Sequence, residues 1–154
     1  MGLLLQWLGV TVPERRELRM GLDAPARARR WIVGFCESCD LGHLGDEAAL
    51  LVDELVTNAV LHARTDCVVV AEKDDDVLRV EVIDSAGDFA DVQPGAERLS
   101  AESGRGLVIV DALATTWGVE EHPEGKSVWF TLAAEVPSRH AAPTATPSFR
   151  VVRS

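Results

Sequence analysis

The chain has 154 residues, 47% hydrophobic and 26% charged, the profile of one globular domain able to bury a core and not of a disordered or fibrous chain. A formal net charge of -10 argues against a general nucleic-acid binder, which needs a basic surface to displace counterions from phosphates. No run of about twenty apolar residues is present to cross a bilayer. The apolar stretch Met1–Leu8 lacks the basic lead-in and small-residue cleavage site of a signal peptide. The odd count of three cysteines suits a reducing compartment, so a soluble cytoplasmic domain is expected.

In chain order, residues 1–16 read as a leader ahead of a domain at 17–134. Glu17 to Leu22 alternates, with Leu18, Met20 and Leu22 on one side, and predicts a first strand. Asp23 before Pro25 predicts a capped helix start, and that helix runs to about Cys39. Cys36-Glu37-Ser38-Cys39 has the spacing of half a zinc site or of a redox pair. No second such pair follows and His43 alone cannot complete a metal shell, so buried or half-buried thiols are expected. Six of the fifteen basic residues lie between Arg15 and Arg30, while Asp46, Glu47, Asp53, Glu54 and Asp74 to Asp76 make the middle acidic. These are either solvated faces of opposite sign or a basic patch for docking a partner.

Gly45-Asp46-Glu47 opens a second helix, reaching about Ala63, whose buried stripe is Ala48, Leu51, Val52, Leu55 and Ala59. Cys67–Glu72 and Val77–Ile83 are predicted strands around the acidic turn Lys73 to Asp76. Asp88 to Ser103 has little periodicity and reads as a mobile loop. Leu107–Ala114 is a third helix, and Thr115–Glu120 with Ser127–Ala133 form a last hairpin around Pro123 and Gly125. Residues 135–154 are rich in Pro, Ala, Thr and Ser and read as a disordered tail. This order implies an α+β two-layer sandwich, an antiparallel or mixed sheet with its helices on one face.

Three features carry chemistry. Glu54, Asn58 and His62 recur four apart and share a helix stripe beside the apolar one. An amide oxygen on Asn58 suits magnesium that also holds phosphate oxygens and water, and Glu54 can orient or deprotonate a nucleophile. Asp84 keeps the parity of Leu78, Val80 and Val82, so its carboxylate is aimed at the mouth of the core, where a ligand amino group would satisfy it. Gly104-Arg105-Gly106-Leu107 at a helix start lets backbone approach a phosphate. Each has a plainer reading, as a solvated face, a turn-forming aspartate and a structural glycine pair.

Together, Glu54-Leu55-Val56-Thr57-Asn58-Ala59-Val60-Leu61-His62-Ala63, Asp84-Ser85-Ala86-Gly87, Gly104-Arg105-Gly106-Leu107 and Gly125-Lys126-Ser127-Val128-Trp129-Phe130-Thr131-Leu132 resemble the GHKL (Bergerat-fold) ATPases and kinases. The closest likeness is to the bacterial anti-sigma-factor serine/threonine kinases. The resemblance implies ATP and Mg2+ as cofactors. It gives Asn58 to the metal, Glu54 to base or water activation and Asp84 to the adenine amino group. Gly87, Gly104, Arg105, Gly106 and Leu107 fall to the nucleotide, with Thr131 on the adenine side and residues 88–103 as a lid. It further implies an anti-sigma-factor antagonist protein as partner, a sigma factor as a second one, and a homodimer. One departure stands out: the family's two glycines after the aspartate fall on Ala86 and Asp88. That departure favours a rival reading, a nucleotide-gated protein-binding module without catalysis.

Overall fold

The structure is a computed structural model that describes residues 12–84, 101–122 and 125–133. Among the described residues five strands form one sheet: β1 (Glu14–Leu18), β2 (Cys67–Asp74), β3 (Val77–Asp84), β4 (Thr116–His122) and β5 (Gly125–Ala133). Their order is β1-β2-β3-β5-β4 and every neighbouring pair is antiparallel. Three helices accompany them: α1 (Ala24–Ser38), α2 (Gly45–Asn58) and α3 (Ala101–Leu113). A single 3-10 turn, Gly42–Leu44, joins α1 to α2. The fold is thus the expected α+β sandwich, with a wholly antiparallel sheet.

Strand alternation divides the sheet into two faces. Cys67, Val69 and Ala71 on β2, Leu78, Val80 and Val82 on β3, and Phe130 and Leu132 on β5 are buried in one cluster with the apolar stripes of the helices. Those stripes are Ala24, Ala28, Ile32 and Phe35 on α1, and Ala48, Leu51, Val52, Leu55 and Val56 on α2. Register agrees: Val80 lies opposite both Ala71 and Phe130. Leu107 and Val110 bring α3 into the same core. The Trp117 indole N–H then ties the end of α3 to β4 by donating to Asp111 at 2.9 Å.

The other face carries a polar and aromatic group. Arg79 stacks over Trp129 at 5.1 Å and pairs with Glu81 at 3.0 Å, while the Ser127 hydroxyl donates to Glu81 at 2.6 Å. Gly118 makes this packing feasible, because a Cβ there would stand 2.8 Å from the Trp129 ring.

Several boundaries differ from those expected. The first strand is Glu14–Leu18, not Glu17–Leu22; Leu18 is its one buried side chain, whereas Met20 is exposed and Leu22 is 94% exposed. Pairing sets this limit: Leu18 is the last residue in register, opposite Cys67, and the Met20 N–H turns aside to the Asp66 carboxylate. Asp23 stands at the α1 N-cap but makes no side-chain capping bond; Pro25 is in the first turn as expected. The helix after the long loop starts at Ala101, so Gly104-Arg105-Gly106 lies within α3 and not ahead of it. Residues 1–11, 85–100, 123–124 and 134–154 are outside the described residues, and the expected tail, 135–154, falls there; of the expected leader, residues 1–16, the last three, Glu14 to Arg16, belong to β1.

Candidate functional site

The apolar stripe of α2 faces the sheet, which turns Glu54 and Asn58, one helical turn apart, toward α3. There they meet Gly106. A Cβ built on Gly106 would lie 3.2 Å from a Glu54 carboxylate oxygen and 3.1 Å from the Asn58 amide nitrogen. The carboxylate, the amide and the bare backbone of a glycine therefore share one small space between two helices. A methyl group would fill it. Partial burial raises the Glu54 carboxyl above its ordinary range, and the negative charge of Asp53 adds to the rise.

The helix changes character at this point. Asn58 ends the α-helical stretch, Ala59–Ala63 forms a π turn, and Arg64 closes it in the left-handed region with φ 53°. The Arg64 N–H bonds the Ala59 carbonyl at 3.0 Å. A π turn widens the helix locally and often accompanies a functional site. His62 lies in this turn; its side chain is outside the described set.

Asp84 ends β3 with 8% of its surface exposed, on the same face as Leu78, Val80 and Val82. In the ladder it stands opposite Cys67 on β2 and Lys126 on β5. Lys126 is almost as deeply buried, and the two residues are neighbours across the ladder. The Cys67 thiol is pushed up to about 11, by burial first and then by the charges of Asp84 and Asp66. Lys126 was not singled out from the sequence as a site residue, although its parity with Val128, Phe130 and Leu132 was a usable signal.

Other expected residues fall as follows. Leu107 is buried in the core and anchors α3. Thr131 lies on the sheet face away from the helices, opposite Arg79 in register, with its hydroxyl 2.6 Å from that of Thr116. It is therefore on the opposite face from Asp84. Gly104 lies on α3 two residues before Gly106, the Arg105 side chain is outside the described set, and Gly87 with residues 88–100 is outside the described residues altogether.

A feature not expected from sequence borders the site. The Arg29 guanidinium on α1 reaches Asp53 at 2.6 Å, and the Thr57 hydroxyl donates to the other Asp53 oxygen at 3.2 Å. Among the described residues no group of three or more His, Cys, Asp or Glu could hold a metal ion, and no helix is long and apolar enough to cross a membrane. Asn58 is a suitable protein contact for a magnesium ion carried in on phosphates, since such an ion needs few protein ligands.

Comparison with known proteins identifies the family and the fold. An uncharacterized Streptomyces coelicolor A3(2) protein, SCO4941, is 36% identical over 72 residues, which are 47% of this chain and 69% of that protein. The crystal structure of the RsbU and RsbW domains of Rv1364c from Mycobacterium tuberculosis superposes with a TM-score of 0.60 over 80% of this chain, at 21% identity. That likeness is one of fold, and this chain spans 32% of the length of that one. The model of the histidine kinase-like ATPase domain matches residues 21–132, from just before α1 to near the end of β5. The chain belongs to the histidine kinase-like ATPase domain family.

Proposed function

We propose that this protein binds Mg-ATP between α2 and α3 and transfers the terminal phosphoryl group to a serine or threonine of a small antagonist protein, thereby controlling a sigma factor by partner switching. The observation that carries the reading is the meeting of Glu54, Asn58 and Gly106 in one space that a single methyl would fill. Bare backbone beside an amide and a carboxylate is what a phosphate chain and its metal require. The family match and the fold shared with an RsbW-containing protein support the class of activity.

Each residue has a role in this account. Asn58 offers its amide oxygen to magnesium, which would neutralise charge on the phosphates. Glu54 accepts the proton of the attacking hydroxyl, a task helped by a carboxyl already raised toward neutrality. Gly104 and Gly106 would let the α3 backbone lie close to the phosphates, and Asp84 would accept a hydrogen bond from the adenine amino group. Catalysis here is mostly positioning and charge neutralisation. The protein acts away from membranes and without direct contact to nucleic acid, in the cytoplasm.

The second reading, a nucleotide-gated binding module, is favoured by Ala86 and Asp88 standing where the family has glycines. Radiolabelled ATP incubated with the protein and candidate antagonists separates the two. Transfer of label to a hydroxyl amino acid, lost in Glu54→Gln, supports the kinase. Firm Mg-ATP binding without transfer to any antagonist that forms a complex refutes it and leaves the module.

A further inference from the structure

The face of the sheet turned away from the helices does not have the composition of a face left to water. In an antiparallel sheet with one solvated side, apolar and polar residues alternate along each strand. β2 breaks that pattern, because Cys67-Val68-Val69-Val70-Ala71 is apolar on both parities. Cys67, Val69 and Ala71 enter the core, so Val68 and Val70 lie on the outer side, both half-buried. Pairing sets Ile83 beside Val68 and forms the outer row Arg15, Val70, Glu81, Trp129 and Gly118. Among the described residues no element lies over this face, yet Ser127 has 0% of its surface exposed and Glu81 has 9%. The Trp129 indole N–H lies over Gly118 and is buried with no acceptor, which marks a place that water does not reach.

We propose that residues 1–11 fold back across this outer face as a third layer, with their leucines and Trp7 against Val68, Val70, Ile83 and Trp129. Three features select this occupant. It is joined at the right place: the described chain begins at Val12, β1 is the sheet edge beside β2, and the row holding Val70 and Trp129 starts at Arg15. It has the right length. β5 lies three strand spacings from β1, about 14 Å, and eleven residues span about 16 Å even when coiled as a helix. It has the right chemistry, with Leu3, Leu4, Leu5, Trp7 and Leu8 and no charged side chain from Met1 to Pro13. Residues 134–154, which leave the sheet from β5, hold Arg139, Arg150 and Arg153 among Pro, Ala, Thr and Ser and offer far less apolar surface.

The test uses the full chain labelled with 15N, without nucleotide. The Trp129 indole N–H signal is assigned by its loss in Trp129→Phe. Its exchange with deuterium is followed in the wild type and in Leu4→Asp/Trp7→Asp/Leu8→Asp, three positions that share one face of a helix and reach both sides of a strand. Exchange should quicken tenfold or more in the triple variant, while the backbone amides of α2 and β3 keep their protection. A second measurement leaves the leucines intact. A nitroxide on Gly2→Cys, in a Cys39→Ser background because Cys36 and Cys67 are buried, should broaden the Trp129 indole signal within one chain. That broadening should vanish in the triple variant, and also when nitroxide and 15N are carried by separate chains mixed together.

Unchanged indole exchange in a folded triple variant, or no broadening within the chain, would overturn the proposal. Broadening between separate chains would overturn it in favour of a second copy seated on the same face. Should the triple variant fail to fold, the broadening measured on the intact segment, within one chain and between chains, decides alone.

Discussion

Replacing Gly106 by alanine sets two effects of known sign against each other. Gly106 is inside α3, and alanine is better than glycine in a helix interior by about 1 kcal/mol. The new methyl would lie 3.1 Å from the Asn58 amide nitrogen and 3.2 Å from a Glu54 oxygen, inside ordinary van der Waals contact. Both neighbours are ends of flexible side chains, so each yields by a few tenths of an ångström at a cost below the propensity gain. The folded protein should become more stable by roughly 0.5 kcal/mol, a rise in melting temperature of about 1–3 °C for a chain of this size. Nucleotide binding should move the other way, because the methyl presses on Asn58 and Glu54 and turns them from the positions that the metal and phosphates need. A loss of tenfold or more in Mg-ATP affinity, about 1.4 kcal/mol, is expected. Thermal melting and calorimetric titration on the same preparation read both quantities. Unchanged affinity alongside a higher melting temperature would refute the placing of the phosphates. A drop in melting temperature of several degrees would show that the neighbours cannot yield and refute the packing argument.

Glu54→Gln keeps the shape of the site and removes only the proton acceptor; it should bind Mg-ATP as the wild type does while phosphoryl transfer falls roughly 10²- to 10⁴-fold, and transfer at more than a tenth of the wild-type rate would dismiss Glu54 as the base. Asn58→Ala should abolish magnesium-dependent binding in calorimetry, and retained affinity would relocate the metal. Gly118→Ala drives a methyl to within 2.8 Å of the Trp129 ring and should cost about 1–3 kcal/mol in chemical denaturation, with a change in tryptophan emission; a neutral result would mean that the ring is free to swing away. Burial pushes the Cys36 thiol up to about 12 and Cys67 to about 11, both above the free value of 9.0. Folded-state values raised in this way mean that the linked stability is whole below about pH 9 and is lost as pH climbs through 11 and 12. Thiol-reactive disulfide reagents should accordingly label both slowly at pH 8 until the chain is unfolded, and prompt native labelling of Cys67 would contradict the packing.

Elements whose pattern came from burial were legible in the sequence. Leu78, Val80 and Val82 alternate because one face of β3 meets the helices, and that parity alone put Asp84 at the mouth of the core. The stripe Ala48, Leu51, Val52, Leu55 and Ala59 is buried throughout for the same reason. Where the partner and not the periodicity decides, the sequence was a poor guide. Met20 and Leu22 have the right spacing for β1, but β2 offers no register beyond Cys67, so the strand lies earlier among charged residues that an edge can expose. Glycines suggested a turn before α3, yet Gly106 is helical and lies against Glu54 and Asn58, a contact that no single-sequence pattern reveals. Long-range pairs were invisible: nothing in a single sequence links Arg29 to Asp53, twenty-four positions away, or sets Lys126 against Asp84.

The strand order has a consequence for how the chain comes together. Among the described strands β5 is the last to be made but lies between β3 and β4, so β3 and β4 run parallel with a gap that β5 fills. Until residues 125–133 arrive, Val80 and Val82 belong to an open edge, and the neighbours of β3 are separated from it by up to fifty-six positions, as in the pair Val77 and Ala133. Such distant closure slows folding and leaves a sticky intermediate on the way. On the ribosome, the helices and the first hairpin would wait, half assembled, for a strand that completes the sheet from within.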